Sequence, residues 1–202
     1  MKRCISIIRL CALMLTVSTP GFAGEALERF FGHIATHTLQ SDFVLTLAED
    51  ASQPMNYPGA IRMRGEQFAL TLFDMEAAYD GQTLYVYSES TDELTLSQPT
   101  AEELLEANPF LYARALADVC TITEQTTKDG KTTIVLTPKE PSAGIQKFTL
   151  VLKGNLPQQL TLKEGKKQTV LRMQNPAYLA STDTDANAFR LQKPDAYVND
   201  MR

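Results

Sequence analysis

Several motifs of enzymes are missing from this sequence. There is no G-x-S-x-G elbow, no H-E-x-x-H pair, no glycine-rich phosphate loop and no C-x-x-C pair. Only two histidines are present, four residues apart, so a Ser-His-acid triad has few places to form. The absence of these catalytic motifs predicts a protein that is not an enzyme and that uses no cofactor.

Long apolar runs are also scarce, and the one at the N-terminus has the features of a signal peptide. The apolar stretch after Arg9 is too short to span a bilayer, which disfavours the alternative of a membrane anchor. Gly21 and Ala23 place small residues at the two positions that a signal peptidase reads. Cleavage after Ala23 is therefore predicted, with residues 1–23 as signal and 24–202 as one mature domain in the periplasm.

Cysteine and positive charge are both sparse in the predicted mature chain. Cys4 and Cys11 leave with the signal, neither in a sequence suited to lipid attachment, so only Cys120 remains and no internal disulfide can form. Cys120 has no histidine or acidic neighbour and is predicted to be a buried strand residue. The signal contains three cations and no anion, which leaves 16 Lys and Arg against 24 Asp and Glu. This balance disfavours nucleic acid and anionic lipid head groups as partners.

The residues after the signal predict a helix. Between Glu25 and Thr38, apolar residues such as Phe30 and Ile34 recur at helical spacing. His33 and His37 lie on the same helix, and two interpretations are open: a shared metal ion, or half-exposed helix residues. The second is favoured because no third ligand is in view, so no metal site is predicted.

The rest of the chain alternates with a period of two, which is typical of strands. We count on the order of eleven strands with short connections, which indicates antiparallel meanders. Two short helices interrupt them: a capping box of Thr100 and Glu103 opens the first, and Asn108-Pro109 opens the second. A curled sheet of more than about eight strands is too wide for its own side chains to fill. The helices are expected to plug or cover the apolar interior, into which Phe148 and its strand neighbours point.

Seven segments together resemble one known family. They are Ser41-Asp42-Phe43, Arg64 to Phe68, Asp80 to Tyr87, Asn108-Pro109-Phe110, Leu136 to Lys139, Gln146 to Leu150, and the ending from Phe189 to Pro194 with Val198 and Asp200. In order and spacing they are similar to the periplasmic carriers of outer-membrane lipoproteins, the LolA family. The resemblance implies a mainly β (α+β) fold, an incompletely closed antiparallel β-barrel with a helical lid over an apolar cavity. It also implies a carrier that accepts acylated lipoproteins from an inner-membrane ABC transporter and passes them to an outer-membrane receptor.

The resemblance further implies which residues form the site. The family's strand arginine, which holds the lid closed, corresponds to Arg64, whereas Gly65 replaces the family's proline and Leu70 its tryptophan. Inward apolar residues are expected to bind the ligand, with ordinary core packing as the alternative. They are Phe30, Phe31, Phe43, Leu45, Phe68, Leu70, Leu84, Val86, Leu104, Leu105, Phe110, Phe148 and Leu150.

The sequence leaves two functions of different classes open. The first is a monomeric carrier that shields the acyl chains of lipoproteins. The alternative is a periplasmic module of the same barrel type that senses lipid or lipoprotein and signals to a partner. A lipid hydrolase would need a nucleophile that the sequence does not offer.

Overall fold

A computed structural model describes residues 24–49, 53–140, 144–180 and 187–202. The predicted signal peptide, residues 1–23, lies outside the described residues. The described part of the chain forms three helices, which are α1 (Glu25–Thr36), α2 (Ala101–Ala107) and α3 (Pro109–Val119). Its strands are β1 (Leu39–Glu49), β2 (Met55–Arg64), β3 (Gln67–Leu72), β4 (Met75–Tyr79), β5 (Leu84–Ser88), β6 (Glu93–Ser97), β7 (Cys120–Thr126), β8 (Lys131–Pro138), β9 (Ile145–Lys153), β10 (Leu156–Glu164), β11 (Lys167–Tyr178) and β12 (Tyr197–Asp200).

All of these strands belong to one curved sheet. Its order is β12-β6-β5-β4-β3-β2-β1-β11-β10-β9-β8-β7, so β1 at the centre joins two meanders by pairing with β11. The two edge strands do not meet, and the helices α2 and α3 connect β6 to β7. The predicted fold class is confirmed: a mainly antiparallel sheet curled into an incompletely closed barrel, with helices.

The last strand corrects the expectation of a purely antiparallel sheet. β12 pairs with β6 in parallel, with Tyr197 opposite Glu93 and Asp200 opposite Leu96. The C-terminal residues reach this edge along the outer face of the sheet. On that face Arg190 binds Asp80 at 2.9 Å and Lys193 binds Glu76 at 2.6 Å. This return path brings β12 to the edge in the direction of β6.

The first helix fills part of the concave face. Phe30 and Ile34 are buried, and the ring of Phe30 lies 5.6 Å from that of Phe110 on α3. The hairpin around Phe148 faces the same interior, as predicted, and Phe148, Leu150 and Leu152 are almost completely buried. Helix α1 and the strand side chains thus form one continuous core.

The ends of α1 are determined by contacts with distant strands. The carboxylate of Glu124 on β7 accepts hydrogen bonds from the backbone N–H groups of Ala26 and Leu27, each at 3.0 Å. The helix ends at Thr36, so the predicted extension to Thr38 is wrong. The carbonyl of Thr38 accepts a hydrogen bond from the N–H of Leu179, which places this residue beside the sheet instead.

The two histidines lie side by side at the end of α1. Their rings stack with centroids 4.0 Å apart, and the ring of Tyr178 meets His33 edge-on at 4.2 Å. Burial, followed by the neighbouring His37, lowers the pKa of His33. No group of three or more metal-ligating side chains occurs among the described residues.

Candidate functional site

An apolar cavity of about 660 Å³ lies between the concave face of the sheet and the two central helices. Its walls come from β1, β2, β3, β10 and β11, and its cover comes from α2 and the first turn of α3. The apolar lining residues are Phe43, Leu45, Ile61, Leu70, Leu72, Leu105, Ala107, Pro109, Leu162 and Leu171. The polar lining residues are Glu102, Glu106, Tyr112, Glu164 and Thr169.

The two helices over the cavity are attached with different strengths. α2 has no fully buried side chain, and its two leucines, Leu104 and Leu105, are only half-buried. α3 is anchored by Phe110, which is fully buried against Phe30. The contact between α2 and the sheet therefore buries much less apolar area than that of α3, which makes α2 the easier of the two to move.

Asn108 joins the two helices. Its backbone N–H donates to the carbonyl of Leu104 and ends α2, whereas its side-chain Oδ1 accepts from the N–H of Phe110 at 2.9 Å and begins α3. Pro109 occupies the first helical position, where a missing N–H has no consequence. The Nδ2 of Asn108 is buried and has no hydrogen-bond partner within the described residues. The cap by Asn108 Oδ1 and the position of Pro109 confirm the helix start that the sequence predicts at Asn108-Pro109.

Only some of the predicted ligand-binding residues line the cavity. Phe43, Leu45, Leu70 and Leu105 do so. The others do not line it, because side chains of α1 and α3 fill the part of the concave face where they lie. Those in the packed core are Phe30, Phe31, Phe68, Leu84, Phe110, Phe148 and Leu150, and those packed against the core are Val86 and Leu104.

Several lining residues were missed by reasoning from the sequence. Ile61 and Leu72 face the cavity because they pair with Leu70 and Gly59 across the β2–β3 hairpin. Leu162 on β10 and Leu171 on β11 belong to the other meander. That meander is distant from β1 in sequence and reaches the cavity through the pairing of β11 with β1. Alternation in the sequence marks such residues as inward-facing, but the strand register and the helix positions decide which of them border an empty space.

Gly59 shapes one wall of the cavity. It lies opposite Phe43 on β1, and a Cβ atom placed there would overlap the Phe43 ring and lie 2.5 Å from the carbonyl oxygen of Thr71. Only glycine leaves room for the ring. The Phe43 ring therefore lies directly over the backbone of β2.

Arg64 is the last residue of β2, next to the turn that leads to β3. Ile61 and Met63 face the interior, and alternation puts Arg64 on the outer face together with its partner Gln67. Within the described residues, no side-chain hydrogen bond joins Arg64 to α2 or α3. Its role in closing a lid stays a prediction of the resemblance.

The neighbouring glycine explains one departure from the family. Gly65 has a φ of 58°, and its N–H donates to the carbonyl of Ile34 at 2.7 Å. Proline has neither that φ nor an N–H. The hairpin between β2 and β3 therefore excludes proline at this position and favours glycine, and this hydrogen bond connects the hairpin to α1.

The charged side chains that line the cavity are all negative. Glu102 and Glu106 lie on α2 and Glu164 on β10, whereas no lysine or arginine among the described residues lines the cavity. Burial, and then the charge of Glu164, raises the pKa of Tyr112. Its hydroxyl is therefore protonated at neutral pH and can donate a hydrogen bond.

Cys120 lies at the start of β7, away from the cavity lining. Its side chain is buried, as predicted, and burial raises the pKa of the thiol. A buried thiol with a raised pKa is a poor nucleophile.

None of the helices within the described residues combines the length and the apolarity that crossing a membrane requires.

Comparisons with known proteins find similarity in structure alone. No model of a known protein family matches the sequence, and a comparison with curated protein sequences finds no match. An uncharacterized conserved protein from Thermus thermophilus is 12% identical, with 87% of this chain and 97% of that chain covered and a TM-score of 0.58. At this identity the similarity is one of fold.

Two further solved structures are similar at lower scores. The LolA superfamily protein NE2245 from Nitrosomonas europaea is 12% identical, with 85% of this chain and 99% of that chain covered and a TM-score of 0.45. A chain in the MucA/MucB complex of Pseudomonas aeruginosa is 18% identical, with 79% of this chain and 58% of that chain covered and a TM-score of 0.49.

Proposed function

We propose that the protein is a periplasmic carrier for the acyl chains of lipoproteins. In this proposal it accepts lipoproteins released by an inner-membrane ABC transporter and delivers them to an outer-membrane receptor. It acts as a monomer, without a chemical step or a cofactor. The observation that supports the proposal is the apolar cavity of about 660 Å³ beneath α2.

The size of the cavity suits an acyl chain. If a methylene group occupies about the volume of a water molecule, ~30 Å³, then 660 Å³ has room for on the order of 20 such groups. Transfer of each methylene from water is worth about 0.8 kcal/mol, so a chain of about 16 carbons gains up to ~12 kcal/mol. Water alone does not extract such a chain, and release requires a competing apolar site.

The covering helix offers a route into the cavity. α2 buries none of its side chains completely and is joined to α3 through Asn108. Moving α2 away from the sheet exposes Leu105 and the cavity while leaving the Phe30–Phe110 contact of α3 in place. Displacement of this one short helix would widen the entrance for an acyl chain.

Binding is tested by displacement of the uncharged dye N-phenyl-1-naphthylamine from the purified protein. A synthetic triacylated lipopeptide is expected to displace the dye, and the same peptide without acyl chains is not. Leu105→Asp places a charge in the cavity lining and is expected to weaken dye binding. Ala101→Asp adds the same charge to the exposed start of α2 and serves as the matched control. Failure of the lipopeptide to displace the dye would refute the proposal.

A transfer assay separates a carrier from a sensor. Inner membranes loaded with a lipoprotein are incubated with the protein, and the soluble complex is then added to outer membranes. A carrier releases the lipoprotein from the first membrane and delivers it to the second. Binding of acyl chains without delivery would favour the sensing module that uses the same barrel.

A further inference from the structure

We infer that the cavity selects acyl chains whose polar end carries no negative charge, such as acyl esters and amides, and rejects anionic amphiphiles. The inference rests on the proposed function, since it concerns the same cavity. It identifies Glu102, Glu106 and Glu164 as the residues that determine this selectivity.

The apolar walls cannot distinguish one acyl chain from another of equal length. Side chains such as Leu45, Leu70 and Leu171 gain the same contact area from a fatty acid, an ester or an alkylammonium ion. Discrimination between these ligands therefore depends on the groups that meet the polar end. In this cavity those groups are carboxylates and the hydroxyls of Tyr112 and Thr169.

The carboxylates approach the cavity from two sides. Glu102 and Glu106 are four residues apart on α2 and so share one helical face, and both are exposed at the rim of the cavity. Glu164 ends β10, in the opposite wall. Within the described residues, none of these three side chains forms a hydrogen bond or an ion pair, and Lys167 lies opposite Glu164 in the β10–β11 ladder.

This arrangement penalises a negative ligand head group. The Debye length is about 10 Å at 0.1 M salt, longer than the distance between neighbouring side chains around one cavity. Because Glu102 and Glu106 are exposed and Glu164 is half-buried, the repulsion is largest at low salt. An anionic head group at the cavity therefore meets three acidic lining side chains and no basic one among the described residues, whereas an uncharged head group meets no such repulsion.

Tyr112 supplies the attractive part of the selectivity. It lines the cavity, and its hydroxyl, which like that of any tyrosine is protonated at neutral pH, has no hydrogen-bond partner within the described residues. A phenol that donates one hydrogen bond suits the carbonyl oxygen of an ester or amide. The polar end expected here is thus an uncharged acceptor.

Amphiphiles with the same twelve-carbon chain test this inference. Displacement of N-phenyl-1-naphthylamine is measured, below the critical micelle concentrations, for dodecyl sulfate, dodecyl maltoside and dodecyltrimethylammonium. In low salt we expect dodecyl sulfate to bind about tenfold more weakly than dodecyl maltoside, and the cation to bind at least as tightly as the maltoside. In 1 M NaCl, where the Debye length is about 3 Å, the differences should largely disappear.

A charge-matched pair of variants assigns the effect. The triple variant Glu102→Gln, Glu106→Gln, Glu164→Gln is expected to bring the ratio between sulfate and maltoside to about twofold or less. The control removes three exposed charges outside the cavity lining, through Glu66→Gln, Glu89→Gln and Glu103→Gln. Gln at position 103 can still complete the capping box. The control should keep the wild-type ratio.

The possible results separate the charge selectivity from the proposed function. If no twelve-carbon amphiphile displaces the dye, the proposed function fails. If all three displace it with equal affinity in low salt, or if the triple variant keeps the wild-type ratio, the charge selectivity is overturned while the acyl-binding cavity stands. Tyr112→Phe adds an independent readout, since it should weaken the binding of methyl dodecanoate but not that of dodecyltrimethylammonium.

Discussion

Removing the Glu124 carboxylate is expected to destabilise the protein through a helix that is remote in sequence. The carboxylate accepts hydrogen bonds from the N–H groups of Ala26 and Leu27 at 3.0 Å, across 98 and 97 residues. The N-cap residue, Gly24, has no side chain that can cap the helix. Glu124 therefore caps the N-terminus of α1 from a distant strand, whereas Thr100 caps α2 as its adjacent N-cap residue.

The magnitude follows from the bonds that are lost. Hydrogen bonds to a charged group contribute about 1.5 to 3 kcal/mol, and a negative charge at a helix N-terminus adds about 0.3 to 1 kcal/mol. Water replaces part of this because the site is only partly buried. We expect Glu124→Ala to lower the free energy of unfolding by about 2 to 3 kcal/mol and Glu124→Gln, which keeps one acceptor, by about 1 kcal/mol.

Urea unfolding followed by circular dichroism measures these differences. In a protein of this size, 1 kcal/mol corresponds to about 2 to 4 °C in the midpoint of thermal unfolding, which provides a second measurement. Glu28→Ala is the matched control, because Glu28 is an exposed acidic residue in the first turn of α1 and only its interaction with the helix dipole is lost. If Glu124→Ala and Glu28→Ala destabilise the protein equally, Glu124 does not cap α1.

Three further outcomes are expected. Leu70→Trp should displace about two methylene groups of a bound chain and weaken dye binding about tenfold, without loss of stability in urea. Arg64→Leu should change dye affinity by less than about twofold, because alternation places Arg64 on the outer face of the sheet; a large change would instead support the lid role that the resemblance implies. Burial raises the pKa of Asp80, but hydrogen bonds from the backbone of Thr83 and Gln82 and from Arg190 lower it further, to a value below the ordinary 3.8. The stability that Asp80 contributes is thus present above about pH 4 and is lost as the pH falls through the lower folded value. Limited proteolysis with pepsin should then release the C-terminal residues more readily near pH 3 than near pH 4, and Arg190→Gln should reduce that difference.

Local chemistry made the secondary structure predictable. Alternation around Phe148 and Leu150 identified a strand with one buried face, and it is one. The capping box of Thr100 and Glu103 and the Asn108-Pro109 pair located both central helices, because a cap acts within one turn of its own residue. Gly81 and Gly130 mark turns whose positive φ favours glycine.

Contacts between distant segments decided the site. The resemblance and the alternation together identified Phe43, Leu45, Leu70 and Leu105 as inward-facing and ligand-binding, and these residues do line the cavity. The same reasoning included Phe30 and Phe110, which are instead buried in the core with their rings packed against each other. The periodicity of a single strand or helix predicts which of its side chains face the interior. Whether such a side chain borders a cavity depends on which other elements pack against it.

The sequence by itself therefore determined which residues turn inward, where helices begin and where hairpins turn, since each depends on neighbours within a few positions. The tertiary structure alone decided where the cavity lies. β1 pairs with β11 across more than a hundred residues, Glu124 holds the start of α1, and α1 then occupies only one part of the concave face. Glu102 and Glu106 from α2 and Glu164 from β10 line the part that stays open under α2. No local pattern in the sequence predicts that these three residues lie around the same cavity.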